Sequence, residues 1–254
     1  MRAMRTLAIL ASLAGCNQVL GLDPVAGRDG ATADATGDAL AADAADLTDG
    51  PLDARCPAPT TRVFPVGADT IIRTNDSQPH GDISVMNVSA QLGSQALLAF
   101  DVSGLPTAEN VVAARLTLPY PAKATACSPS CGDCADLETT GAMTVQFLRT
   151  DWTETATWTS RGGTATWTSQ GAAALGADRS ALTAAFSHTA ATATIVTLPP
   201  ALLADWENWR RNDRLAFVIA PGTGRAVIAT REYRTVETCD PALGGPTLEV
   251  DSCP

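Results

Sequence analysis

Short apolar segments recur along the chain between residues 70 and 250, and glycine, proline, asparagine or aspartate separates most of them. They are rich in β-branched residues or alternate apolar with polar positions, which is typical of β-strands. Nine segments are predicted as strands: 70–73, 84–88, 96–100, 111–118, 143–148, 193–198, 215–220, 226–230 and 247–250. Because no run of helical pattern intervenes, the chain is predicted to be all-β, an antiparallel β-sandwich of jelly-roll type.

One short helix is predicted near the end of this pattern, where Pro199 and Pro200 favour a helix start. Four apolar side chains follow at helical spacing: Leu202, Leu203, Trp206 and Trp209. The simplest interpretation is that this stripe covers one end of the sandwich core, and a platform that stacks on sugar rings is the alternative. Residues 222–224, Gly-Thr-Gly, are predicted as a hairpin turn between two strands.

At the amino terminus, two arginines and a short apolar run precede Leu13-Ala14-Gly15-Cys16. This arrangement resembles a bacterial lipoprotein signal. The run is shorter than the roughly 20 residues of a membrane-spanning helix. The resemblance implies that residues 1–15 are a signal peptide and that Cys16 is acylated, which would anchor the protein firmly to a membrane. An ordinary secretory signal is the alternative. Asn17 favours the outer membrane of the cell envelope, and the orientation, periplasmic or surface-exposed, stays open.

Residues 16–55 are predicted to be a disordered acidic linker. From Asp23 to Asp53 the chain carries eight aspartates, one arginine and no aromatic residue. Such a segment cannot bury enough apolar surface to fold, and its like charges repel. The aspartates lack the spacing of an EF-hand loop, so they are interpreted as solvated charge rather than a calcium site.

The six cysteines beyond Cys16 are consistent with an exported domain at residues 56–254. They are Cys56, Cys127, Cys131, Cys134, Cys239 and Cys253. An even number predicts up to three disulfides, and their pairing cannot be read from the sequence. Cys56 and Cys253 bracket the domain and would clamp its ends together. A zinc site at Cys127, Cys131 and Cys134 is the alternative, although no complete zinc-ribbon spacing is present.

A series of fragments in order along residues 64–250 resembles the DNRLRE-domain family, which is grouped with carbohydrate-binding module family 96. The fragments are Ala68-Asp69-Thr70, residues 99–106, Ala113-Ala114-Arg115-Leu116, Asp151-Trp152-Thr153-Glu154 with Thr157-Trp158, the helix with Trp206 and Trp209, residues 215–218, Arg231-Glu232-Tyr233 and residues 246–250. The resemblance implies a jelly-roll sandwich that in some members binds polysaccharides such as alginate. A cysteine-rich insertion at 122–141 would oppose binding if it covers the ligand face.

The candidate glycan contacts are aromatic rings, which stack on sugars, and arginines, whose planar fork suits a carboxylate. They are Trp167, Tyr120, Tyr233, Arg73, Arg115, Arg149 and Arg231. Trp167 lies in the second of two Thr-Trp-Thr-Ser copies and is predicted to be exposed, whereas Trp152 and Trp158 are predicted to be core. For Arg115 and Arg231 the alternative is an internal pair with Asp69 or Glu232.

No catalytic residue, metal site or cofactor is predicted. The chain has two histidines, no Gly-x-Ser-x-Gly elbow and no His-Glu-x-x-His pair. Residues 56–254 carry 19 acidic and 13 basic side chains, which argues against nucleic-acid binding. The expected function is therefore non-catalytic polysaccharide binding by an envelope protein with a lipid anchor. A structural or adhesive surface module that binds no glycan is the alternative, and no protein partner is identified.

Overall fold

The computed structural model describes residues 58–105, 110–121, 140–189, 192–235 and 244–253. The chain divides into two units, residues 1–48 and 49–254, and every described residue lies in the second. The predicted signal peptide, Cys16, the acidic linker and residues 122–139 of the cysteine-rich insertion predicted at 122–141 lie outside the described residues. Within the described ranges, no helix combines the length and the apolar character needed to cross a membrane.

The described structure is all-β and antiparallel, which confirms the predicted class. Its strands are β1 (Thr60–Arg73), β2 (Val85–Ser89), β3 (Ser94–Asp101), β4 (Asn110–Leu118), β5 (Gly141–Leu148), β6 (Ser160–Gly162), β7 (Ala165–Thr166), β8 (Ala184–His188), β9 (Thr194–Thr197), β10 (Arg214–Ala229) and β11 (Thr247–Cys253). Nine strands form one sheet in the order β8-β5-β10-β2-β3-β1-β11-β4-β9, with an additional pairing of β10 with β3. Strands β6 and β7 form a separate hairpin.

Strand β1 joins the two layers of the sandwich. Its first half pairs with β11, from Thr60 opposite Ser252 to Pro65 opposite Thr247. Its second half pairs with β3, and the register shifts between Val66 and Ala68. An irregularity of this kind bends a strand and increases its twist. The layer β1-β11-β4-β9 is thereby folded against the layer that contains β3, β10, β5 and β8.

Side chains of the β3 layer are buried on both faces. Along β3, Leu98 and Phe100 belong to the core between the layers, whereas Leu97 and Ala99 belong to a second apolar cluster on the opposite face. Strand β10 repeats this alternation: Phe217 belongs to the core between the layers, here called the main core, and Val218 belongs to the second cluster. An antiparallel sheet commonly leaves one face to solvent, so the continuous apolar runs of these strands indicate a sheet covered on both sides.

Residues 149–182, here called the covering segment, lie over that second face. The segment contributes Trp152 and Trp167 to the second cluster, and Trp158 packs against it partly buried. The core prediction is therefore confirmed for Trp152, whereas Trp158 lies at the edge of the cluster. The predicted exposure of Trp167 is wrong: only 5% of it is exposed, and its indole N–H donates to the carbonyl oxygen of Thr157 at 2.9 Å. A ring packed in this way cannot stack on a sugar.

The predicted helix forms as two short helices, α1 (Pro200–Ala204) and α2 (Trp206–Trp209), with Asp205 between them. Leu202 and Trp206 are buried in the main core, which confirms the packing role for these two residues. The Trp206 ring meets Phe147 edge-on at 6.1 Å between ring centroids.

The predicted hairpin turn at residues 222–224 is wrong. The two predicted strands on either side of it are the ends of one long strand, β10. The register with β5 shifts between Pro221 and Thr223, and Gly224 has a φ of 74°. A bulge accommodates proline and glycine within a strand because one residue is left out of the hydrogen-bond ladder. Strand β8 and the first ten residues of β1 were not predicted.

A substitution at Gly171 tests how closely the backbone of the covering segment packs against the Trp158 ring. Its φ is 70°, and a Cβ there would lie 2.4 Å from the Trp158 ring, whereas Gly163 has a φ of 58° and open space around it. Both Gly→Ala changes introduce the strain of a left-handed backbone, and only Gly171→Ala adds a clash. We expect Gly171→Ala to reduce the free energy of unfolding by about 1–2 kcal/mol more than Gly163→Ala does. Urea unfolding followed by circular dichroism measures the difference, and equal losses would contradict this packing.

Candidate functional site

A cleft of about 770 Å³ lies where the end of β5, the covering segment and helix α2 meet. This volume is within the range of known small-molecule sites. The cleft is lined by Arg149, Thr150, Asp151, Gly176, Ala177, Ala181, Leu182, Asp205, Asn208, Trp209, Arg211 and Asn212. It combines one large aromatic ring with amide, carboxylate and guanidinium groups, which are the side-chain types that bind sugar rings and their hydroxyls.

Trp209 is the aromatic ring of the cleft, and the structure fixes its position. The ring packs partly buried against the main core. Its indole N–H donates to Asp205 Oδ2 at 2.7 Å, and the Asn208 amide donates to Asp205 Oδ1 at the same distance. One carboxylate therefore holds both the ring and the amide. A ligand that used them would meet groups already in place, which reduces the entropy lost on binding.

A tight turn between α2 and β10 also contributes to the lining of the cleft. Arg211 and Arg214 exchange two backbone hydrogen bonds of 2.9 Å around Asn212 and Asp213. Both central residues have positive φ, 51° and 57°. This is the geometry of a two-residue type I′ turn, in which asparagine and aspartate are favoured. The turn places Asn212 in the lining of the cleft.

Charged side chains at the other end of the cleft are largely paired. Arg149 binds both carboxylate oxygens of Asp151, at 2.5 and 2.9 Å, and lies 3.6 Å from Asp178. Arg161 also pairs with Asp151. Burial raises the pKa of Asp151, but the bonds from the two arginines outweigh it and hold that pKa below its usual value. Arg149 is therefore committed to internal partners.

Asp178 anchors this end of the cleft from inside the covering segment. Its side chain is buried and accepts the backbone N–H groups of Thr168 and Ser169 at 3.0 and 2.9 Å. Burial raises its pKa, and the two N–H donors outweigh it and keep that pKa low. Asp178 thus stays ionised and attracts Arg149.

Arg211 is the cleft cation with fewer internal partners. Its guanidinium donates to the carbonyl oxygens of Glu207 and Arg210, at 3.2 and 2.8 Å. Within the described part of the chain it makes no ion pair with a carboxylate, and the residue is exposed. Arg211 can therefore still bind an acidic group on a ligand.

A second hollow of about 720 Å³ adjoins the first and shares Asn212 with it. Trp152 and Arg214 lie at its floor, with the guanidinium carbon 5.1 Å from the centre of the indole ring. Only 1% of Trp152 is exposed, so its ring stabilises the fold and is not open to a ligand. Glu154 and Asp101 add carboxylates to this hollow.

Of the three predicted aromatic contacts, none lines the cleft. Trp167 and Tyr233 are buried. Tyr120 is partly buried, and its ring stacks on buried His188 at 6.1 Å between centroids. Burial lowers the pKa of His188, so the stacked imidazole is neutral at neutral pH.

Of the four predicted arginines, only Arg149 lines the cleft. Arg115 pairs with Glu249 and Asp251 across neighbouring strands. Arg231 pairs with Glu154 and Glu232, so the internal pair with Glu232 is confirmed. Arg73 lies at the end of β1, away from the cleft.

Sequence reasoning missed Asn208 and Asn212. It placed Trp209 in the apolar helix stripe, for which packing was the simplest interpretation and a platform that stacks on sugar rings was the alternative. One signal in the sequence could have separated Trp209 from the rest of the stripe: the stripe ends at Trp209, and the polar run 210–213 follows at once. A ring at the last turn of a short helix is half in the core and half at the surface.

Comparison with known proteins identified no matching family model and no matching curated protein.

Proposed function

We propose that this protein is a lipid-anchored, non-catalytic protein of the cell envelope whose β-sandwich binds polysaccharide in the cleft beside Trp209. The observation that carries the proposal is the partly buried indole ring of Trp209, held by Asp205 next to Asn208 in a cleft of ligand-binding size. Aromatic rings that are held rigid bind sugar faces at low entropic cost, and the neighbouring polar groups orient the hydroxyls.

The location of the protein is proposed from its sequence. Leu13-Ala14-Gly15-Cys16 supports acylation of Cys16 and, with Asn17, attachment to the outer membrane. The acidic linker would let the sandwich reach on the order of 35 Å from the lipid. We also propose that the chain belongs with the DNRLRE-domain family. In support, three fragments that carry the resemblance meet in space at Asp69, Glu154 and Arg231.

Disulfide bonding is part of the same proposal. Cys253 is buried at the end of β11 and is a disulfide-bonded cysteine. The six other cysteines lie outside the described residues, so no complete bridge is observed. A link from Cys253 to Cys56 would join the two ends of the domain, and removal of such a bridge typically costs 2–5 kcal/mol.

Affinity electrophoresis of the purified protein in gels containing alginate, pectin, chitin or cellulose derivatives tests glycan binding. We expect retardation by at least one polymer, and we expect Trp209→Ala to weaken it by about tenfold or more because the stacking face is lost. Asn212→Gly removes an amide at a position whose positive φ suits glycine, so it tests the polar rim without straining the turn.

Ile195→Ala is the matched control, since Ile195 is 64% exposed on the other layer of the sandwich. Its mobility should equal that of the wild-type protein. Circular dichroism separates lost binding from lost folding in Trp209→Ala. Indifference to every polymer would favour the structural or adhesive module instead, and release of reducing sugar would contradict the non-catalytic assignment.

A further inference from the structure

Three carboxylates far apart in the sequence converge beside the second hollow. Asp69 lies in β1, Glu154 in the covering segment, and Glu232 in the 3₁₀ helix Arg231–Thr235 after β10. One carboxylate oxygen from each lies within 4.8 Å of the other two. Here they are called the carboxylate triad.

Backbone hydrogen bonds hold the triad in place. The N–H of Arg231 donates to Asp69 Oδ2 at 3.0 Å, and the N–H of Asp69 donates to Glu154 Oε1 at 3.3 Å. Close packing also restricts the positions of Glu154 and Arg231. A Cβ on Gly81 would lie 2.4 Å from the Cβ of Glu154, and one on Gly245 would lie 2.8 Å from the backbone of Arg231.

The guanidinium of Arg231 offsets only part of the negative charge of the triad. The guanidinium of Arg231 pairs with Glu154 at 2.6 Å and with Glu232, and it also donates to the carbonyl oxygen of Gly67. Three carboxylates and one guanidinium leave two negative charges when all are ionised. Burying such an excess is costly unless a proton or a cation neutralises it.

The buried member of the triad carries an oxygen that no donor satisfies. Asp69 is 1% exposed, and among the described residues no donor reaches its buried Oδ1. The unsatisfied Oδ1 of Asp69 can therefore bind a cation held among the three carboxylates.

We propose that the carboxylate triad binds one divalent cation, and that the cation is Ca²⁺. All the ligand atoms are oxygens, which Ca²⁺ prefers, and its bond lengths of about 2.3–2.6 Å give an oxygen shell roughly 5 Å across. The three oxygens all lie within 4.8 Å of one another, so one such shell can include them. Mg²⁺ demands near-ideal octahedral geometry with bonds of about 2.0–2.1 Å, whereas Ca²⁺ accepts a flexible arrangement of ligands, so carboxylates fixed by the fold suit Ca²⁺ better.

The hollow supplies access and room for the remaining ligands. Glu154 lines it together with Gly67, and the side chains of Glu154 and Glu232 are 30% and 22% exposed. A cation entering from this side would meet Asp69 at the inner end and keep water on its outer face. Glycan binding in the cleft beside Trp209 uses other residues, so the two proposals can fail separately.

Thermal unfolding of the full chain at pH 8, first freed of metal with EDTA and then dialysed, tests the proposal. We expect 10 mM CaCl₂ to raise Tm by about 3–6 °C, since a site of millimolar or tighter affinity stabilises the folded state by mass action. Equimolar MgCl₂ should raise it by less than half as much. Calorimetric titration should give one saturable Ca²⁺ site per chain.

Asp69→Asn should lose the Ca²⁺ response, whereas Asp101→Asn should retain it. Asp101 is the matched control because it lines the same hollow, is exposed and bonds locally to the N–H of Ser103 at 2.9 Å. If Asp69→Asn does not fold, Glu154→Gln takes its place. A rise in Tm that does not saturate with Ca²⁺, or that is equally large in Asp69→Asn, would overturn the proposal, because the effect would then come from the acidic linker. No rise in Tm with Ca²⁺ would also overturn it and would indicate that a proton neutralises the triad.

Discussion

Trp152→Ala is expected to lower the free energy of unfolding by about 3–5 kcal/mol, the loss typical of a large buried aromatic side chain. Trp152 is 1% exposed and lies in the second apolar cluster, between the β3 layer and the covering segment. Its carbonyl oxygen accepts a bond of 3.1 Å from Arg214, and the same guanidinium lies over its ring. Truncation would leave a cavity and remove the surface on which Arg214 rests. Urea unfolding followed by far-ultraviolet circular dichroism measures the loss.

Two further variants test whether the loss comes from the buried ring of Trp152. Trp152→Phe keeps most of the buried ring and removes an indole N–H that has no partner among the described residues, so it should cost much less than Trp152→Ala. Ile195→Ala, on the exposed face of the other layer, should change the free energy by less than about 0.5 kcal/mol. A loss below about 1 kcal/mol for Trp152→Ala would mean that the covering segment is not docked on the sheet.

Asp69→Asn is expected to make the protein more stable than wild type at high pH when no divalent cation is present. Burial and the neighbouring Glu232 carboxyl raise the pKa of Asp69 to about 8 in the folded protein, against 3.8 as the ordinary value. Between these two values the folded state binds a proton that the unfolded state has released. The stability that Asp69 contributes is therefore complete below pH 3.8 and is lost as the pH rises toward 8.

Asparagine keeps the shape of the side chain and does not ionise. The free energy of unfolding of the variant therefore does not fall through titration at this position. We expect the stability of the wild type relative to the variant to fall by on the order of 4 kcal/mol between pH 5 and pH 9, with the variant more stable at pH 9. Urea unfolding in EDTA at pH 5, 7 and 9 measures this difference. Asp101→Asn, whose carboxylate is exposed, should follow the wild-type profile. An Asp69→Asn protein that loses stability with rising pH as the wild type does would contradict the assignment.

The sequence predicted the strands whose signals are local. Alternating or continuous apolar runs identified all of β9 and most of β3, β4 and β5, because such runs need no information from elsewhere in the chain. The first ten residues of β1 contain Pro65 and Gly67, which are unfavourable in a strand interior. They pair nevertheless because β11 and β3 supply partners on either side of a register shift.

The candidate site was predicted only in part, since a residue type does not reveal its exposure. Trp167 and Tyr233 carry the chemistry of sugar contacts and are buried. Trp209 lines a cleft, although packing in the core was the simpler of the two interpretations of its helix stripe. The carboxylate triad was not predicted at all. Its members are separated by up to 163 positions, from Asp69 to Glu232. The pairing of β1 with β3 and of β3 with β10 brings these two together, and the covering segment adds Glu154.

The amino-acid sequence by itself determined the all-β class, the apolar stripe at Leu202 and Trp206, and the acidic composition of the linker. Each follows from the period or composition of neighbouring residues. Only the tertiary structure decided which apolar faces are covered, which aromatic ring reaches a cleft, and which carboxylates share one buried site. These properties depend on contacts between residues far apart in the chain, and a change of one residue in strand register would turn every side chain of a strand to the other face.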